Sequence, residues 1–192
     1  CDLTKIQRLQ LLDLCHASLM GLSISQARTM TKLADSLVVA DGQMGLFEFM
    51  IQRILSSRLV EHPEFPASSG RERNRSYRPY KVDIGLILSA IVHASGLSDE
   101  DCSLQFNRAM QKYFPHGKST RLLPRADINL HELGAAMDNI GSTSWKIRHK
   151  IMDASVDCIS SDQKATTLEM ELLRALGATL ALPCPPISVP FS

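Results

Sequence analysis

Four carboxylates could do chemistry in this chain, and they recur in one spacing at its two ends. Asp41 is followed seven residues later by Glu48, and Asp162 seven residues later by Glu169. Around them D-G-Q-M-G-L-F-E-F-M-I-Q-R-I-L aligns with D-Q-K-A-T-T-L-E-M-E-L-L-R-A-L, which also pairs Arg53 with Arg174 and Leu55 with Leu176. Converging carboxylates suit a hard cation such as calcium, which takes several oxygen ligands. Two acids per turn is a thin ligand set, and the D-x-[DN]-x-[DN]-G spacing of an EF-hand is missing. Local architecture accounts for the same residues. An Asp in a tight turn accepts backbone N–H groups, and Gly42 can take the positive φ that a chain reversal asks for. Glu169, third after Thr166, can reach back to the cap N–H with its charge on the positive end of the helix, and Glu48 stands in the same relation to Gly45.

The other reactive types are dispersed. The five cysteines (Cys1, Cys15, Cys102, Cys158, Cys184) contain no C-x-x-C pair, which points to free thiols, and Cys15, Cys102 and Cys158 fall on apolar stripes as small core residues. The six histidines (His16, His62, His93, His116, His131, His149) have no His or Cys partner three or four residues away. His131-Glu132 is followed by Ala135, so the two-histidine helix face of a zinc protease is missing. No G-x-G-x-x-G, G-x-x-x-x-G-K-[ST] or G-x-S-x-G is present. Arg71, Arg73, Arg75, Arg78 and Lys81, interleaved with Tyr77 and Tyr80, could meet a lipid surface or a partner, although such runs are most often simply solvated.

The elements that must position these groups are helices. Apolar residues recur at helical spacing nearly throughout, while alternating runs bounded by turns are scarce, so the expected class is all-α, a single bundle of about eight helices spanning 1–192. The first covers residues 4–20. The second opens at the Ser23/Gln26 capping box and places Met30, Leu33, Ala34, Leu37 and Val38 on one core face. The third carries Phe47, Met50, Ile51, Ile54 and Leu55. Residues 62–81, with Pro63, Pro66, Gly70, Pro79 and the basic cluster, read as a mobile loop. The run from Ile84 to Val92 is apolar on nearly all sides and should be central. A fifth helix begins at Ser98 with Leu104, Phe106, Met110 and Phe114, and a sixth opens at Asn129 and ends at Gly141. A seventh follows Ser142, and an eighth runs over 167–182 before the Pro-rich tail 183–192.

Composition narrows the function classes. With 21 Lys+Arg against 20 Asp+Glu and a formal net charge of +1, there is no electrostatic case for a dedicated nucleic-acid binder, and 44% hydrophobic residues is too many for a disordered chain. No stretch approaches the roughly 18 apolar residues that span a bilayer. The chain opens on Cys1 without a basic start and apolar run, which reads as a fragment lacking a signal peptide.

The string A-D-G-x-x-x-L-F-E, with Leu37 to Gly42, Leu46-Phe47-Glu48, Gln52-Arg53, Trp145-Lys146 to Asp162, Leu168 to Leu176 and Cys184-Pro185-Pro186, resembles the TerB-like (tellurite-resistance-type) helical domain. The nearer likeness is to the version at the C-terminus of HtpX-like membrane-bound zinc metalloproteases. Gln163 stands where that family would place glycine, and Ser160-Ser161 where it would place alanines. The resemblance implies a pseudo-two-fold helical bundle and a non-catalytic regulatory or interaction segment with neither metal nor cofactor. Its partners would be a protein or the rest of a parent protease, whose zinc site lies upstream, and an anionic membrane surface. It would sit in the bacterial cytoplasm, tethered to the inner membrane through the parent. The competing expectation is a free-standing TerB-like stress protein that binds a metal ion or oxyanion through Asp41, Glu48, Asp162 and Glu169.

Overall fold

In the computed structural model the residues described are 46–60, 76–115, 120–161 and 163–184, with single positions between 7 and 36. Every regular element among them is helical. The chain divides into two compact units, residues 1–69 and 70–192. The division falls inside the stretch where proline, glycine and serine interrupt the helical pattern.

In the first unit, Ser23 and Gln26 form the expected reciprocal cap. The Ser23 N–H donates to Gln26 Oε1 (2.9 Å) and the Gln26 N–H to Ser23 Oγ (3.4 Å). In the stripe beyond it Met30 is 38% exposed and Leu33 55%, against expectation, while Ala34, Leu37 and Val38 lie outside the described residues. Periodicity shows that these residues share a face of the helix, and it carries no information on whether another element covers that face. Helix α1 (Leu46–Val60) buries Phe49, Met50, Ile54 and Leu55.

The second unit contains α2 (Lys81–Ala94), α3 (Asp99–Tyr113), α4 (Leu130–Gly141), α5 (Trp145–Ser160) and α6 (Thr167–Leu180), with single 3₁₀ turns at Arg78–Tyr80 and Arg125–Asp127. Helix α2 is its axis: every residue from Ile84 to Ala94 is buried, and α3, α4, α5 and α6 all pack on it. That is the environment a helix apolar on all sides requires. Two polar side chains inside it tie down the chain between α3 and α4. Ser89 Oγ accepts the Leu123 N–H (3.0 Å), and His93 Nε2 lies 2.8 Å from the Leu123 carbonyl oxygen.

Local chemistry sets the helix starts. Ser98 Oγ accepts the Asp101 N–H at the head of α3, and Asn129 Oδ1 accepts the His131 and Glu132 N–H groups at the head of α4. Three boundaries and one burial differ from the sequence reading. Lys81 begins α2, and Arg78 lies in the 3₁₀ turn before it, so the end of the 62–81 segment is helical. Pro79 permits this because a first-turn proline gives up no helical hydrogen bond. Helix α5 starts after Ser144 rather than Ser142, because the Ile147 and Arg148 N–H groups both bond the Ser144 carbonyl. Helix α6 ends at Leu180, where Ala181 turns left-handed (φ 50°). Leu104 is 69% exposed: it lies two residues from Cys102, hence on the opposite side of α3 from Cys102, Phe106 and Ala109.

Candidate functional site

At the head of α6 the Glu169 N–H donates to Thr166 Oγ1 (3.1 Å), and Glu169 Oε2 accepts the Thr166 N–H (2.8 Å). This closes a capping box around a carboxylate only 1% exposed. Thr166 Oγ1 also donates to the Ala94 carbonyl (3.1 Å), which ties the head of α6 to the end of α2. Just upstream, Gln163 has φ 60°, the left-handed region that favours glycine. The position aligned with Gly42 therefore makes the demand that glycine meets.

Of the other acids singled out in the sequence, Asp41 and Asp162 lie outside the described residues, and Glu48 is described only as a backbone position in α1. Arg71, Arg73 and Arg75 also lie outside. Arg78 is exposed and Lys81 half-buried.

Two of the thiols sit where burial silences them. Cys102 and Cys158 are buried, and Cys102 Sγ donates to the Val92 carbonyl (3.3 Å). Burial raises the Cys102 pKa and pushes that of Cys158 up to about 12, with Asp157 and Glu169 adding to the latter. Since the thiolate is the nucleophile and the metal ligand, neither cysteine is poised for either role. Cys184 is exposed, and Cys1 and Cys15 lie outside the described residues. His131 is exposed and His149 half-buried, with its ring edge-on to Trp145 (5.1 Å between centroids). His16, His62 and His116 are outside the described residues.

Two arrangements had no counterpart in the sequence reading. The first is a cleft of about 180 Å³ between α3 and α5, floored by Ala109 and Cys158 and rimmed by Gln105, Arg108, Lys112, Asp157, Ser160 and Ser161. Across its mouth Lys112 Nζ donates to Asp157 Oδ2. Burial works against ionisation of Asp157, but Lys112, the neighbouring Tyr113 hydroxyl and Arg108 outweigh it and hold the carboxyl below its ordinary range. These residues are 45 apart in the chain, so no local signal foretells the pair. The second is the ring cluster at the other end of α5. Tyr77 packs edge-on to Phe114 (5.2 Å), and Lys150 Nζ lies 5.2 Å from the Tyr77 centroid and 5.7 Å from that of Phe114. The composition W-K-I-R-H-K at residues 145–150 was the available clue.

No family model, no curated protein and no solved structure matches this chain.

Proposed function

We propose that this chain is a non-catalytic, all-helical interaction module, a TerB-like domain of the kind appended to HtpX-like membrane-bound zinc metalloproteases. One observation carries the architectural half of this reading: Glu169, one of the two acids weighed for ion binding in the second copy of the repeat, spends an oxygen on the Thr166 N–H inside a closed capping box. The left-handed backbone at Gln163 and the neutral, buried thiols of Cys102 and Cys158 support it. The parent-protease half rests on the motifs Leu46-Phe47-Glu48 and Leu168 to Leu176. A module of this kind acts by presenting surface, and its acids hold turns and helix ends in place.

Isothermal calorimetry of the full chain with calcium, zinc and manganese tests the reading, alongside a peptidase screen. The expected result is no saturable heat and no hydrolysis. Micromolar binding lost in Asp41→Asn would establish instead a free-standing ion-binding stress protein, and hydrolysis lost in His131→Ala or Glu132→Ala would establish an enzyme.

A further inference from the structure

Helix α5 is charged the wrong way round. A helix is stabilised by acids in its first turn and bases in its last, because its N-terminus carries partial positive charge. Helix α3 obeys, with Asp99, Glu100 and Asp101 in the first turn and Lys112 in the last. Helix α5 has no acid in its first turn and no base in its last. Lys146, Arg148 and Lys150 crowd its N-terminal half, while Asp153 and Asp157 follow in the second half. Lys146 and Lys150, four residues apart, form a like-charge pair that costs further stability. The Ser144 side chain makes no cap hydrogen bond, and its Oγ is buried.

These cations differ in use. Arg148 Nη1 donates inward to the Leu180 carbonyl (2.7 Å), which helps close the end of α6. Lys146 is exposed, Lys150 projects over the Tyr77 and Phe114 rings, and neither forms an ion pair among the described residues. Between them at helical spacing stand Trp145, 52% exposed, and His149. Residues 145, 146, 149 and 150 span about 140° of one helix face. Tyr77, beneath the Lys150 ammonium, is followed in the chain by the exposed Arg78. The outcome is a half-exposed indole beside lysines that form no ion pair among the described residues, at a helix start that an anion would relieve.

We propose that this face, formed by Trp145, Lys146, His149 and Lys150, is a contact surface for anionic lipid headgroups. A headgroup layer supplies both needs at once: phosphate charge for the ammonium groups, and a half-apolar zone in which an indole ring settles. An acidic protein segment matches the lysines but leaves the indole without a place of its own. The proposal goes beyond the reading of the acidic turns and fails separately from it, since ion calorimetry reports those turns and lipid partition reports α5.

Trp145 is the single tryptophan of the chain, so its emission reports this face alone. The full chain is titrated with vesicles of mixed phosphatidylcholine and phosphatidylglycerol, with vesicles of phosphatidylcholine alone, and with an oligoglutamate peptide. The expected result is a saturable blue shift on the mixed vesicles only, reversed by salt. Lys146→Gln and Lys150→Gln, whose folding is checked by far-UV circular dichroism, should each lower the partition about fivefold. No shift on mixed vesicles, an equal shift on phosphatidylcholine, or full partition by both variants would overturn the proposal. A shift with oligoglutamate and none with vesicles would assign the face to an acidic protein instead.

Discussion

Replacing Glu169 is the sharpest test of whether the acids of this chain are architecture. In Glu169→Ala the half-buried Thr166 N–H loses an acceptor that is itself 1% exposed, and leaving such a donor unsatisfied costs about 1–3 kcal/mol. The truncated side chain also leaves space in the packing between α6 and its neighbours. We expect a total loss of about 2–3 kcal/mol. Thr166→Ala removes the other half of the box and the bond to the Ala94 carbonyl, and should cost about 1–2 kcal/mol. Because the two side chains serve each other's backbone, the double variant should lose less than the two single losses added together. Glu169→Gln keeps an acceptor oxygen in place and should cost about 1 kcal/mol less than alanine. Urea unfolding followed by circular dichroism measures all four. In a unit the size of residues 70–192, each kcal/mol should move Tm by about 4 °C. A loss below about 0.5 kcal/mol for Glu169→Ala, or strict additivity with Thr166→Ala, would refute the architectural role.

Four further outcomes follow from other sites. Ala181 closes α6 left-handed, with its N–H bonded to the Ala178 carbonyl and the Leu182 N–H bonded to Gly177, a Schellman arrangement that normally recruits glycine. Ala181→Gly should therefore stabilise by about 1 kcal/mol. Gly177→Ala should destabilise, since a Cβ there would sit 3.1 Å from the Leu182 carbonyl oxygen, and thermal melts read both changes. In the pH dependence of Tm, Asp83 and Asp157 should act with opposite signs. Burial raises the Asp83 pKa more than the Asn139 amide, 3.4 Å away, lowers it. Its favourable contribution is thus present below the unfolded carboxylate pKa and lost as pH rises through the folded value, so Asp83→Asn should stabilise at neutral pH and lose that advantage in acid. The Asp157 pKa is held down, so its contribution is present above the unfolded pKa and lost as pH falls through a folded value below the ordinary range. Asp157→Asn should weaken the protein at neutral pH and become indistinguishable from the parent in strong acid.

The sequence by itself determined the helical class, the centrality of α2 and the capping chemistry at Ser23 and Thr166, though not the start of α5. Each of these depends on residues within one or two turns of each other: an unbroken apolar run at 84–92, or a side-chain oxygen three residues from a waiting N–H at Ser23/Gln26 and Thr166/Glu169. The left-handed backbone at Gln163 came only with the structure, since the sequence showed a glutamine where the aligned position holds glycine. Which apolar stripes are covered was decided only by the tertiary structure. Met30 and Leu33 keep perfect helical spacing and lie open, whereas Ile147, Ile151 and Cys158 keep the same kind of spacing and are buried. The union of Lys112 with Asp157, and of Lys150 with Tyr77 and Phe114, likewise required α3 and the turn before α2 to arrive beside α5. Such contacts depend on where separate helices pack, and helical spacing along one segment contains no information about a segment tens of residues away.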